Sequence, residues 1–271
     1  MSADATAPRP DGPLPASRPV VETLLSHRTW RDFDPAASIP PEHLHILLDC
    51  ARQAPSWMNG QHYSIIRITD PALRAQLVAL QPNNPQIGTC SEFWVWVADL
   101  YRASLASAAA GGSFAAVGTP DTLLTASVDV AMAAQNALTA AESLGYVTCP
   151  VGGLRLIAPE LVTLLHLPRH TFPLFGLCIG KPSVTMRIKP RLPRLPHAAV
   201  VFENRYQPEL QGLLADYEQT LLDFNEPREK LPWRQKLARF YEKTYAPRNL
   251  RLLRQQGFLT HPDGLAEDQA P

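Results

Sequence analysis

The sequence predicts an α+β protein, and three observations carry that prediction. Helical patterning opens the chain, strand-like segments then fall between helices at irregular intervals, and the regular strand–helix–strand beat of a doubly wound sheet is missing. Residues 1–19, MSADATAPRPDGPLPASRP, read as a disordered Pro/Ala-rich leader that lacks the basic and apolar regions of a signal peptide. Val20 to Ser26 reads as a short helix. Leu44, Leu47, Leu48 and Ala51 then fall at i, i+3, i+4 and i+7 behind Ile39-Pro40-Pro41-Glu42. A second helix therefore starts at the prolines, which a first turn tolerates, and ends before Pro55. Tyr63 to Thr69 and Glu92 to Asp99 have the β-branched and aromatic content of strands, with a polar loop around Gln81 to Thr89 between them. Ser104 to Gly118 is Gly/Ala/Ser-rich and is expected to be a mobile excursion.

Thr119-Pro120-Asp121 offers an N-cap, a first-turn proline and an acid, and Gly145 supplies the stop of a long helix. That helix is apolar nearly all round and crowded with small residues such as Ala131, Ala133, Ala134, Ala137 and Ala140, so it should be central and able to approach another helix closely. Asp129, Gln135, Asn136 and Glu142 make its apolar stretch too polar for a membrane span. Strands are expected at Pro173 to Ile179 and Ala198 to Glu203, and helices near Leu210 to Phe224 and Pro232 to Gln256. The resulting division is a leader (1–19), a core (20–208), a helical excursion (209–260) and a frayed tail (261–271).

With 25 Lys+Arg against 25 Asp+Glu in 271 residues, the chain has no net charge. Nucleic-acid binding by counterion release and a polybasic membrane patch are both disfavoured, which leaves a small molecule or a second copy of the chain as the partner. Cys50, Cys90, Cys149 and Cys178 form no CxxC pair and read as free thiols, in keeping with a cytoplasmic protein. There is no GxSxG, HExxH, GxxxxGK[ST] or GxGxxG after a strand. His166 and His170 are spaced i, i+4, but Pro168 breaks the helix that would align them, so no metal is expected.

Four polar clusters remain. They are His27-Arg28-Thr29-Trp30-Arg31, Pro55-Ser56-Trp57-Met58-Asn59-Gly60-Gln61, Cys149-Pro150-Val151-Gly152-Gly153-Leu154-Arg155 and Lys189-Pro190-Arg191-Leu192-Pro193. Each has a plain structural reading as a solvated helix end, a loop, a turn or a proline-stiffened linker. Each also has a chemical one. The first and last concentrate cations of the kind that bind phosphate, Lys as a point charge and Arg as a planar fork. The second is loaded with hydrogen-bonding side chains, and the paired glycines of the third let a backbone approach a ligand closely.

In this order and spacing the clusters, with Tyr63 to Asp70, Glu92-Phe93-Trp94, Ala134-Gln135-Asn136-Ala137, Ala141-Glu142-Ser143-Leu144-Gly145 and Pro173-Leu174-Phe175-Gly176-Leu177, resemble the nitroreductase family. Within it the chain is similar to the NADPH-dependent, oxygen-insensitive nitroreductases and NADPH:flavin oxidoreductases, over roughly Val20 to Pro208 and more loosely to Thr260. The resemblance implies a mixed, mainly antiparallel sheet flanked by helices, FMN bound non-covalently at the interface of a homodimer, and NADPH as electron donor. It implies ping-pong reduction of a small-molecule acceptor: a nitro compound, a quinone or free flavin. His27, Lys189 and Arg191 would grip the phosphate, and Thr29 would meet the ribityl chain. Arg31 would lie near flavin N1/O2, where a fixed cation stabilises charge that develops on reduction. Arg28 is grouped with them, a surface or interface role being its alternative. Ser56, with the backbone of Trp57 and Met58, would face the ring edge, a backbone N–H at Gly152 or Gly153 would reach N5, and Asn59, Gln61 and Val151 would also belong to the cofactor site. The polar contact before the Glu-Phe-Trp strand would come from Asn84, a place that Asn83 fits as well.

The sequence departs from the family pattern in two further respects. Pro150 stands where an aromatic is common, and the loop Asp223 to Lys230 is short for the one that would clamp the NADPH 2′-phosphate, with Arg228 as its candidate cation. Two alternatives to the reductase stand beside it: a specialised flavin oxidase or dehydrogenase, and a non-catalytic flavin-binding dimer.

Overall fold

A four-stranded sheet in the order β1-β2-β4-β3 organises the chain, with β1 at Tyr63–Arg67, β2 at Glu92–Asp99, β3 at Val147–Val151 and β4 at Thr171–Gly180. All its neighbouring strands pair antiparallel. The computed structural model describes residues 16–183, 191–224 and 231–261. Of these, 16–183 with 248–261 form one compact unit, and 191–224 with 231–247 form another.

In the first unit, β2 is buried on both faces, and the period-two alternation of its side chains splits the core in two. Trp94, Trp96 and Ala98 share one face with Tyr63, Leu177 and Ile179. Against them pack α2 (Pro41–Arg52), through Leu47 and Ala51, and α6 (Pro120–Ser143), through Ala126, Val130, Ala133, Ala137 and Ala141. Phe93, Val95 and Val97 take the other face with Cys149, Val151 and Cys178. They are covered by Leu77 of α3 (Pro71–Leu80), Ile87 of α4 (Gln86–Thr89) and Leu161 of α7 (Ala158–Leu164). The four cysteines form no disulfide, and burial beside Cys90 pushes the Cys178 thiol well up from its ordinary value.

The helix α1 (Val20–Ser26), α2, β1, β2 and β4 lie where the sequence places them, and α6 runs through the core as expected. The stop of α6 is a Schellman turn: Gly145 has φ +80°, its N–H meets Glu142 O, and Tyr146 N–H meets Ala141 O. The small residues of α6 permit the close helix approach expected of them. Ala133, Ala134 and Ala137 are buried in the chain's own core, where they let α6 lie close to α2 and the sheet. Leu124, Val128 and Met132 form the exposed stripe.

Several expectations are corrected. The segment between β1 and β2 contains α3, whose start is signed by Asp70, a side chain accepting Ala72 N–H at 2.8 Å, and by Pro71 at N1. The polar loop beyond it contains the single turn α4. The expected mobile excursion begins as helix α5 (Tyr101–Ala109), with Asp99 accepting Tyr101 N–H at 2.9 Å, and ends in a 3-10 turn at Ala115–Gly118. Cys149 belongs to strand β3 and not to a turn; its Thr-Cys-Pro content obscures a short run that is buried but for Pro150.

The second unit contains α8 (Gln211–Phe224) and α9 (Trp233–Tyr241). Residues 198–203 form no strand; the chain makes a 3-10 turn at His197–Ala199 instead. The long helix expected from Pro232 to Gln256 is two, α9 and α10 (Asn249–Gln255). The break contains Pro247, which lacks the N–H a continuing helix needs. α10 belongs to the first unit, where Arg248 pairs with Glu160 on α7 at 2.6 Å.

Candidate functional site

Three of the predicted segments meet along β3. Thr29 forms a parallel bridge with Thr148, and the neighbouring Trp30 N–H donates to Thr148 O at 2.9 Å. Phe33 then bridges Pro182 beyond the end of β4, so the polar run from His27 to Arg31 is held in place by backbone pairing. His27 and Arg28 are half-buried, whereas Thr29 and Arg31 are exposed. His27 Nδ1 lies 2.8 Å from Glu142 Oε1, and the same oxygen accepts the Thr148 hydroxyl at 2.7 Å.

β3 leads through buried Val151 into the 3-10 turn Gly152–Ile157. A Cβ built on Gly153 would stand 2.8 Å from Gln81 Oε1 and 2.9 Å from Asn84 Nδ2, so only glycine lets these amides close over the turn. Asn84 Nδ2 donates to Gln81 Oε1 at 3.1 Å, and Gln86 Nε2 donates to Asn84 Oδ1 at 3.1 Å. Of the two asparagines that fit the sequence pattern, Asn84 is the one turned to the glycines; Asn83 is exposed. Pro150 is exposed on an otherwise buried strand.

The loop Ser56 to Gln61 is anchored elsewhere. Met58, Asn59 and Gln61 have φ of 45°, 57° and 49°, a left-handed backbone that non-glycine residues adopt at a cost of about 1–2 kcal/mol each. What holds it is buried beneath. Asp129, from the middle of α6, accepts Trp57 N–H at 3.0 Å through Oδ1 and His62 N–H at 3.1 Å through Oδ2, which also lies 2.9 Å from His62 Nδ1. Ser56 Oγ accepts Gln61 N–H at 3.1 Å, and Arg102 donates to the carbonyls of Gln61 and Tyr63 at 2.7 and 2.6 Å. Thus clamped, the loop holds Trp57, Met58, Asn59 and Gln61 exposed to solvent.

Asp129 and Glu142 are 13 positions apart on one helix, about 20 Å at 1.5 Å per residue. One chain therefore brings the predicted residues together in two separate groups: His27 to Arg31 with Asn84 and Val151 to Gly153, and the loop from Ser56 to Gln61. Arg191 is exposed in the second unit, and Lys189 and Arg228 lie outside the described residues. Glu92-Phe93-Trp94 belongs to the scaffold, Glu92 pairing with Arg67 across β1 and β2 at 2.8 Å and accepting Trp94 Nε1–H.

Sequence reasoning assigns no role to Asp129, Glu142, His62, Arg102, Gln81 or Gln86. The signal for the two acids is present, since an acid within a helix otherwise fit for burial needs a buried partner. Apart from Thr148, six positions from Glu142, the partners are dozens of residues away. Among the described residues no group of His, Cys, Asp and Glu is arranged to hold a metal ion, and no helix is long and apolar enough to cross a membrane.

Comparison with known proteins places this architecture. The model of the Nitroreductase family matches residues 24–181, and that of the Nitroreductase family, C-terminal domain, matches residues 192–261. The chain belongs to the nitroreductase family. It is 38% identical over 248 residues to an oxygen-insensitive NADPH nitroreductase of Salmonella typhimurium, covering 89% of this chain and 99% of that protein. It is 32% identical over 248 residues to an FMN reductase (NAD(P)H) of Bacillus subtilis, covering 88% and 97%. Among solved structures, the NADPH:FMN oxidoreductase of Vibrio harveyi complexed with NAD+ superposes with a TM-score of 0.80 at 30% identity, over 89% of this chain and 99% of the other.

Proposed function

We infer that the chain is an FMN-dependent NAD(P)H oxidoreductase that reduces nitro compounds, quinones or free flavin, donor and acceptor binding in turn. The observation that carries this reading is the gathering of His27 to Arg31, Asn84 and Gly152–Gly153 along β3. The donor set fits FMN: cationic and hydroxyl side chains suited to a phosphate and ribityl chain stand beside a glycine turn and the side-chain amides gathered at it, which offer hydrogen bonds to a ring edge. Bound FMN supplies the two-electron carrier chemistry between NAD(P)H and acceptor.

The chain's own residues bind and orient. His27, Lys189 and Arg191 hold the phosphate, with Arg28 beside them, and Thr29 holds the ribityl chain. Arg31 places positive charge at the pyrimidine end of the ring, where it favours the reduced state. Asn84 and the backbone of Val151, Gly152 and Gly153 line the ring from one half-site. Ser56, Trp57, Met58, Asn59 and Gln61 supply the other, and Arg228 meets the 2′-phosphate of NADPH.

The separation of the half-sites, about 20 Å along α6, is matched if a second copy supplies the Ser56–Gln61 loop, with FMN at the interface of a homodimer. Leu124, Val128 and Met132, spaced i, i+4, i+8 on α6, and Val20, Val21, Leu24 and Leu25 on α1 are exposed apolar surface of the kind such an interface buries. Within this reading residues 20–208 carry the flavin site, 209–260 form a helical excursion, and the protein works in the cytoplasm. The test is direct. Purified protein should be yellow, release FMN on denaturation, and oxidise NADPH with nitrofurazone or a quinone as acceptor. Protein that takes up no FMN when reconstituted refutes the reading.

A further inference from the structure

We propose that Glu142 is the positioning residue that aims His27 at the FMN phosphate. The inference rests on the reading of His27 as a phosphate ligand. Glu142 stands in the last turn of α6, where the negative end of the helix dipole disfavours an acid. It is nonetheless largely buried, its side chain 11% exposed, and its Oε1 is shared by two residues: His27 Nδ1 at 2.8 Å and the Thr148 hydroxyl at 2.7 Å.

An ionised carboxylate only accepts hydrogen bonds, so the ring nitrogen facing it carries a proton. With Nδ1 committed to Glu142, the orientation of the imidazole is set and Nε2 is the nitrogen left for a ligand. Carboxylates play this part behind histidine ligands generally, fixing ring direction and tautomer without touching the ligand. Two jobs fall to one carboxylate here. His27 caps the C-terminus of α1, and without a partner its ring has other staggered rotamers open to it. Thr148, the other residue on Glu142, is also the one that bridges Thr29, so the same oxygen aligns the histidine with the strand that leads to Gly152 and Gly153.

Riboflavin, which lacks the phosphate, isolates the effect. Apoprotein is titrated with FMN and with riboflavin, and the ratio of the two dissociation constants is compared across variants. Glu142→Ala should cut the preference for FMN about tenfold, the scale of one charge-assisted hydrogen bond, because riboflavin affinity falls far less than FMN affinity. Glu142→Gln, whose amide oxygen still accepts from Nδ1–H, should recover most of it. Glu142→Leu, which keeps the bulk but accepts nothing, gives the same readout if the alanine variant does not fold. Equal weakening of both ligands, or an unchanged ratio, overturns the proposal. His27→Ala separates the two claims: if it too leaves the ratio unchanged, the phosphate reading falls and the role of Glu142 with it. If His27→Ala collapses the ratio and Glu142→Ala does not, Glu142 alone is removed.

Discussion

Replacing Asp129 with alanine should cost about 3–5 kcal/mol of stability, and the structure supplies the reason. The carboxylate is 2% exposed and accepts from the N–H groups of Trp57 and His62 and from the His62 ring, which is itself buried. Removing it strands those donors beneath the loop, where each hydrogen bond to a charged acceptor is worth about 1.5–3 kcal/mol and the sum is less than additive. The loop also loses its restraint. Met58 and Gln61 in left-handed backbone cost about 2–4 kcal/mol between them, an amount the clamp offsets and its absence does not. Against a typical total of roughly 5–15 kcal/mol, the loss is large. Urea unfolding of the apoprotein measures it, and limited proteolysis between Ser56 and Gln61 shows whether the loop opens first. Asp129→Asn keeps the volume and one acceptor and should lose about half as much, by the same per-bond scale. A loss below about 1 kcal/mol in the alanine variant, close to that of an ordinary surface change, would refute the clamp.

The remaining predictions concern the cofactor, the donor and pH. Arg31→Ala should lower the midpoint potential of the bound flavin by about 30 mV, equivalent to roughly 1.4 kcal/mol, and slow its reduction by NADPH; an unchanged potential in spectroelectrochemical titration removes Arg31 from the ring. Arg228→Ala should raise KM for NADPH about ten- to a hundredfold and leave NADH little changed, since one charge-assisted contact with the 2′-phosphate is at stake; equal effects on both nucleotides in steady-state kinetics would make the arginine structural. The side-chain hydrogen bond from Arg248 holds the Glu160 carboxyl below its ordinary value. Its folded value is the lower one, so the pair's stabilisation is present above the ordinary carboxylate range and is lost as pH falls through the folded value. The melting-temperature difference between wild type and Arg248→Gln should therefore shrink on acidification, and a difference that grows at low pH would contradict the pairing.

Much of the fold is legible in the sequence because its signals are local. The i, i+3, i+4, i+7 spacing behind Pro40-Pro41, the strand composition of Glu92 to Asp99, and Gly145 at the end of α6 each act within a few residues. Where local chemistry is ambiguous the reading fails. The Ala/Ser content of residues 101–109 serves a helix as well as a loop. The apolar–polar alternation of a half-buried strand is absent from Val147–Val151, where Pro150 is the one exposed residue of five. The interrupted helix at Pro247 is legible in principle, because a proline that far inside a helical pattern removes a donor.

The sequence by itself determined which residue types are available for chemistry: the cations of His27 to Arg31, the amides of the Ser56 loop, and the paired glycines. Its local chemistry, apart from the family resemblance, does not say which segments meet. Only the tertiary structure decided that Asn84 rather than Asn83 turns to Gly153, that Ala133, Ala134 and Ala137 serve the chain's own core, and that Asp129 holds the Ser56–Gln61 loop while Glu142 holds His27. The physical reason is one of range. Helix and strand propensities act between near neighbours. A buried carboxylate, by contrast, is satisfied by whichever donors the packed fold delivers, here from as far as 72 and 115 positions away.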